Sequence, residues 1–313
     1  MSARVQPILP AALRPGDRIG VVAPAGPADE NALRAGADAL RALGYDVVFG
    51  ESVFAREGYF AGTNDARARD LIGMFERDDV HAIFCARGGY GSNYLLPALE
   101  RIDLRAHAKP FIGYSDITTL LTRFVDRGVA CFHGPMVAPD FSRGSADLRS
   151  LTAALAGDEV SFEIDTLSES VRTIVPGSAS GILYGGCLSL LVASLGTPFE
   201  VQTDDTILFI EDINVWPYQV DRMLRQLELA GKFSAVRAVI FGEMLNCGNG
   251  DSNPTTRETV ERIVGALGIP IAYGLPSGHV SGANLTLPLG VQAHVEFKAH
   301  RVQIRCAPAA QKR

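Results

Sequence analysis

The feature that most constrains this chain is a repeating order in which a short apolar run ends at Gly or Pro and is followed by a stretch with helical spacing. Arg18-Ile19-Gly20-Val21-Val22-Ala23-Pro24 is the first such run, and residues 32–43 then carry apolar side chains at helical intervals until Gly44 stops them. The order continues with strands expected at 45–49, 81–85 and 109–113 and helices at 65–77, 94–99 and 118–127. Near-continuous apolar strands are buried on both faces, and strands joined through helices run parallel. The first half is therefore expected to be a parallel sheet covered by helices.

With 313 residues, 47% of them hydrophobic, the chain is long enough for two cores. Periodicity weakens between about residues 144 and 176, where polar residues accumulate in Asp165-Thr166-Leu167-Ser168-Glu169-Ser170. A junction is placed at 151–178, between an amino-terminal α/β domain at 1–150 and a carboxy-terminal domain at 179–313. Beyond it, helices are expected at 188–195, 219–229 and 256–267, with strands at 206–210, 238–241 and around Ile271. Residues 291–297 and 302–306 alternate as antiparallel strands do, which makes the second half a mixed α/β domain with a β-rich end.

Charge and cysteine usage exclude several classes of function. The net charge of −6 offers no general attraction for phosphate backbones or anionic membranes, so no nucleic-acid or membrane partner is expected. The first ten residues lack the apolar core of a secretory leader, and no stretch approaches the roughly 20 apolar residues of a membrane span. The five cysteines, Cys85, Cys131, Cys187, Cys247 and Cys306, are odd in number, widely spaced and set in apolar runs. That pattern fits reduced thiols in a cytoplasmic protein, with neither a disulfide framework nor a metal site.

Phe111-Ile112-Gly113-Tyr114-Ser115-Asp116 sets a serine at the turn from an apolar strand into a helix. A side chain there is lifted out at the carboxyl edge of the sheet, where helix amides can meet an oxyanion. Ile117 stands where the Gly-x-Ser-x-Gly elbow has its second glycine, so the same residues also describe a serine that caps a helix. A nucleophilic serine needs a base and a group to orient it. Among six histidines, His133 in Cys131-Phe132-His133-Gly134-Pro135 and His279 in Gly274-Leu275-Pro276-Ser277-Gly278-His279 lie in Gly/Pro-bounded loops after apolar strands. Glu211, at the end of Leu208-Phe209-Ile210-Glu211-Asp212, can hold an imidazole tautomer or meet the start of the following helix. Ala86-Arg87-Gly88-Gly89-Tyr90-Gly91 follows a strand, lacks P-loop and dinucleotide spacing, and suits a phosphate, a carboxylate, an oxyanion or simply a tight turn, with Arg87 a further carboxylate clamp.

Together, Gly20-Val21-Val22-Ala23-Pro24, Arg87-Gly88-Gly89-Tyr90-Gly91, Gly113-Tyr114-Ser115-Asp116, His133-Gly134-Pro135, Gly185-Gly186-Cys187-Leu188, Glu211-Asp212 and Gly278-His279 resemble the LD-carboxypeptidase family of serine peptidases, in the family's order and over nearly the whole chain. The resemblance implies a flavodoxin-like amino-terminal domain, a β-rich carboxy-terminal domain and an active site at their junction. It implies a Ser115–Glu211–His279 triad, an oxyanion hole of amides at Gly89 and Asp116, and substrate contacts at Arg87, Gly88 and His133, the last being either a pocket or a structural residue. It further implies no cofactor, a homodimer, and cleavage of the L,D-bond before the terminal D-Ala of a murein tetrapeptide, a muropeptide of cell-wall recycling. The alternative within the family is a microcin C-like peptidyl-nucleotide; outside it, a non-catalytic anion-binding module. Cys187 stands where the family commonly has Asn, and Val215-Trp216 replace a pair that is often acidic and then small.

Overall fold

The computed structural model describes residues 7–167, 170–248 and 254–313. Its first half is built from strands β1 (Arg18–Val22), β2 (Asp46–Phe49), β3 (Ala82–Cys85), β4 (Phe111–Gly113) and β5 (Cys131–His133). The helices among and after them are α1 (Glu30–Ala42), α2 (Asn64–Glu76), α3 (Leu96–Leu99), α4 (Thr118–Asp126) and α5 (Leu148–Leu155). α1 begins where the Asp29 carboxylate accepts from the Ala32 amide, and α2 where Thr63 does the same for Ala66. The stretch 94–99, expected as one helix, is a 3-10 turn at Ser92–Leu95 running into the single turn of α3, with Pro97 near the start of that turn.

These five strands are parallel and lie in the order β2-β1-β3-β4-β5, the flavodoxin-like arrangement. Such sheets take ligands outside the carboxyl ends of the strands, where the order reverses around β1 and β3. The glycine loop after β3 and Ser115 after β4 both lie at that edge.

The second half runs through β6 (Val160–Asp165), β7 (Arg172–Val175), β8 (Gly177–Cys187), α6 (Leu188–Ala193), β9 (Thr206–Glu211), α7 (Pro217–Leu229), β10 (Ala238–Gly242), α8 (Thr256–Val264), β11 (Ile271–Leu275), β12 (Leu287–Leu289), β13 (Gln292–Lys298) and β14 (Arg301–Cys306). Eight of these strands form one mixed sheet, β6-β14-β13-β8-β9-β10-β11-β7, with a parallel centre at β8 to β11 and antiparallel flanks. Residues 151–178, set aside above as a junction, contain the end of α5 and strands β6 and β7. Val160 and Phe162 in β6 turn inward while Ser161 and Glu163 face out, a period of two that the neighbouring polar residues obscure. Ser168 and Glu169 of that stretch lie outside the described residues.

β12 departs from sequence order. It leaves the second half and pairs antiparallel with β5, matching Leu287 to His133, and so becomes the sixth strand of the first sheet. A core cluster runs through the first sheet and one face of the second, and a smaller one lies under α6, α7 and α8. All five cysteines are buried free thiols, and among the described residues no helix is long and apolar enough to cross a membrane.

Candidate active site

At the end of β4, Tyr114 is extended and Ser115 then takes φ +64°, a left-handed conformation uncommon for a residue with a side chain. The chain turns sharply through a 3-10 turn at Ser115–Ile117 into α4, which lifts the Ser115 hydroxyl off the sheet edge. Strain of this kind collects at functional turns because the surroundings hold it in place. Here the brace is Asp116: its carboxylate accepts from the Ser92 amide (2.8 Å), and its carbonyl accepts from the Ser92 hydroxyl (2.7 Å). The turn after β4 is thus tied to the exit of the glycine loop.

That loop presses directly on the serine. A Cβ on Gly88 would stand 2.8 Å from Ser115 Cβ, 2.9 Å from its Oγ and 3.3 Å from the Asp116 amide nitrogen, so no larger residue fits. Arg67 supports the loop from beneath: almost wholly buried, it donates to the carbonyls of Pro24 (2.5 Å) and Gly91 (2.8 Å), bonds the Asn64 side chain and lies over the Phe60 ring. Arg87 is exposed and donates to the Pro27 carbonyl (3.2 Å), holding its guanidinium on the loop that follows β1.

Glu211 ends β9 and is completely buried. Its Oε2 accepts from His279 Nδ1–H (2.7 Å) and from the His279 backbone amide (3.1 Å). This approach needs Gly278 at φ +93°, because a Cβ there would lie 2.7 Å from Glu211 Cδ. Gly278 in turn donates to Asn284 Oδ1 (2.9 Å), and Asn284 Nδ2 reaches Asp140 (3.4 Å), which fixes the histidine loop against the first half. Burial drives His279 toward neutrality, but the Glu211 charge and hydrogen bond outweigh it and raise its pKa. Burial likewise opposes ionisation of Glu211, and the charge and hydrogen bond of His279 outweigh that, so the carboxyl is held below its usual range.

The two sides meet through Tyr114, whose ring packs edge-to-face on the His279 ring with centroids 5.1 Å apart. Ser115 is therefore next in the chain to a residue in contact with the imidazole that Glu211 orients. His133, expected as a pocket or structural residue, has no exposed surface: it lies behind Glu211, with Nδ1 3.1 Å from Ser277 Oγ and Nε2 4.0 Å from Glu211 Oε1. Cys187 is paired in register with Glu211, buried, and holds its thiol well above the ordinary range by burial, while its amide donates to Thr118 Oγ1 (2.9 Å). Trp216 precedes α7 with about half its surface exposed (49%). Sequence reasoning missed Arg67, Ser92, Ser277 and Asn284, whose partners lie up to 144 residues away and leave little local signature.

Residues 19–134 match the family model described as LD-carboxypeptidase N-terminal domain, and residues 180–295 match that for LD-carboxypeptidase C-terminal domain. A "Probable murein peptide carboxypeptidase" of Bacillus subtilis is 38% identical over 91% of this chain and 90% of its own length. A solved muramoyltetrapeptide carboxypeptidase from Oxalobacter formigenes superposes with a TM-score of 0.82 at 29% identity, covering 92% of this chain and 99% of the other. The microcin C7 self-immunity protein MccF of Escherichia coli is 28% identical over 97% of both chains. A structure of MccF in complex with glutamyl sulfamoyl guanosine gives a TM-score of 0.85 at 26% identity, over 97% of this chain and 100% of the other. With both halves matched in order around a strained serine turn and a buried glutamate bonded to a histidine, the chain belongs to the LD-carboxypeptidase family of serine peptidases.

Proposed function

We propose that the protein hydrolyses the L,D-peptide bond between the diamino acid and the terminal D-Ala of a murein tetrapeptide in the cytoplasm, as a homodimer. The observation that carries this reading is the 2.7 Å hydrogen bond from His279 Nδ1 to the buried Glu211, set beside the Ser115 turn through Tyr114. That bond leaves Nε2 as the ring nitrogen able to accept the Ser115 proton.

Ser115 Oγ attacks the carbonyl of the diamino acid while His279 Nε2 takes its proton. Amides at Gly89 and Asp116 receive the oxyanion, supported by the close approach of Gly88 to Ser115 and the Asp116 amide. The carbon–nitrogen bond then breaks, His279 gives its proton to the departing D-Ala amine, and Ser115 is left as an ester of the tripeptide. Water adds to that ester with His279 again as base, releasing the tripeptide and restoring the hydroxyl. Glu211 stays ionised throughout and holds the ring. Arg87, exposed at the mouth of the glycine loop, leaves Pro27 to meet the terminal carboxylate of the substrate. The nucleophile belongs to a domain at 1–150 and its base to a domain at 179–313. Neither the chemistry nor these residues call for a cofactor, and no nucleic acid or membrane takes part.

Incubation with a defined murein tetrapeptide is expected to release free D-Ala, and Ser115→Ala to abolish that release. D-Ala appearing at the wild-type rate from Ser115→Ala would remove the assignment. The relation to MccF supports a second reading, cleavage of a peptidyl-nucleotide by the same residues, with exposed Trp216 as the surface on which a base would stack. Mass spectrometry of muropeptide and aminoacyl-nucleotide analogues after incubation separates the two.

A further inference from the structure

Glu211 presents two oxygens to a completely buried environment, and only one of them is used by His279. Oε2 takes both of the His279 donors, whereas Oε1 has no hydrogen-bond partner and faces His133 Nε2, equally buried and equally unpartnered, at 4.0 Å. Buried polar atoms without partners are rare, and two of them facing each other call for a reason.

The reason lies in Ser277. Its hydroxyl donates to the Leu285 carbonyl (2.9 Å), so its single proton is committed and toward His133 it can only accept. Nδ1 of His133 must therefore carry the hydrogen, and in the neutral ring Nε2 carries a lone pair. The ring is packed edge-to-face on Phe209 of β9 (centroids 5.0 Å apart), the strand that ends in Glu211, while its own backbone pairs with Gly113, two residues before Ser115. Burial lowers the His133 pKa to about 4, which keeps the ring neutral at working pH.

We propose that His133 is a positioning residue that acts through Glu211: held as its Nδ1–H tautomer by Ser277, it turns a bare nitrogen toward Oε1 and so keeps the carboxylate charge for His279. A donor in that place would hydrogen-bond Oε1, spread the charge and weaken the hold on the imidazolium. The same bond to Ser277, two residues before His279, fixes the loop that carries the base. The inference rests on the triad reading and deepens it.

The other titratable groups facing this pair are Asp212 beside Glu211, Asp140 from the turn after β5, Cys187 at the end of β8, Cys247 after β10 and Tyr114 before Ser115, with Arg143 near Tyr114. They are common to the wild type and to both variants below, so a difference between variants isolates His133.

In His133→Gln the amide nitrogen falls near the position of Nε2 and offers N–H to Oε1; in His133→Asn it falls near Nδ1 and keeps the donation to Ser277. The test is an NMR titration of the His279 imidazole in the full-length protein, assigned by loss of its signal in His279→Gln. His133→Gln is expected to lower the His279 midpoint by about one pH unit, a tenfold weaker hold on the proton, with the acid limb of kcat/KM moving equally. His133→Asn is expected to shift it by less than half as much. A midpoint unmoved in His133→Gln, or moved equally in both variants, overturns the proposal and leaves His133 a packing residue. If the Gln variant does not fold, the Asn variant decides, and a fall of a full unit there overturns the proposal. Because the titration uses no substrate, its failure is separate from a failure of the peptidase reading, which the D-Ala assay with Ser115→Ala tests.

Discussion

The Ser115 side and the His279 side of the candidate site are built by different means. Around Ser115 the work is done by backbone: a left-handed turn, a glycine loop at contact distance and paired bonds between Ser92 and Asp116. Around His279 it is done by charge: a carboxylate with no exposure, one oxygen bonded to the imidazole, and a second histidine behind it. The first side fixes a position and the second fixes a protonation state. Substitutions on one side should therefore leave the other side's signature intact.

The largest effect belongs to the charged side. Glu211→Gln keeps the shape and removes the charge, and turnover of the tetrapeptide is expected to fall by about 10⁴-fold, the scale of losing tautomer control in such a triad. A loss under tenfold would break the contrast. Next is Gly88→Ala, which places a methyl against Ser115 and is expected to cost roughly 10²-fold in turnover, the penalty of a small misplacement of reacting groups. The His279 titration midpoint should not move with it; a shifted midpoint would show that the two sides are not separable.

Stability against pH gives the third test. The folded His133 pKa lies near 4 and the unfolded value near 6.5, so the unfolded chain takes up a proton in that window that the folded chain refuses. Stability from this residue is complete above about pH 6.5 and is lost as pH falls to about 4, by about 3 kcal/mol in all. His279 has the opposite sign, since its raised pKa adds stability at low pH that disappears as pH rises through the folded value. Denaturant unfolding should therefore show wild type losing its advantage over His133→Asn between about pH 6.5 and 4; parallel curves would contradict the neutral buried ring. The smallest effect is on the backbone side: Ser115→Gly relieves the left-handed turn and is expected to gain about 1 kcal/mol while losing turnover. A loss of stability would show that the turn is not strained.

Much of the first sheet was legible because its strands are short apolar runs closed by Gly or Pro, and parallel pairing follows from helices between them. β12 was not legible, since Leu287-Pro288-Leu289 is too short to carry a period and its partner β5 lies more than 150 residues earlier. β7 escaped notice as well: a four-residue edge strand, exposed or half-buried throughout, gives little alternation to read. At the site, Ser115, Glu211 and His279 stood out because each follows an apolar strand, but their local motifs also suited caps and turns, and only their order along the chain narrowed the choice. The bracing residues depend on contacts between distant segments. Asn284 in a polar loop has no signature until Gly278 and Asp140 are placed on either side of it.

The crossing of β12 into the first sheet bears on how such a protein can be taken apart. A fragment ending before residue 160 would lack the strand that covers β5, and would display a raw row of amides and carbonyls next to the serine turn. The two halves are interlocked products of one chain, and a gene fusion that exchanged either alone would have to carry Leu287–Leu289 along with the sheet it completes.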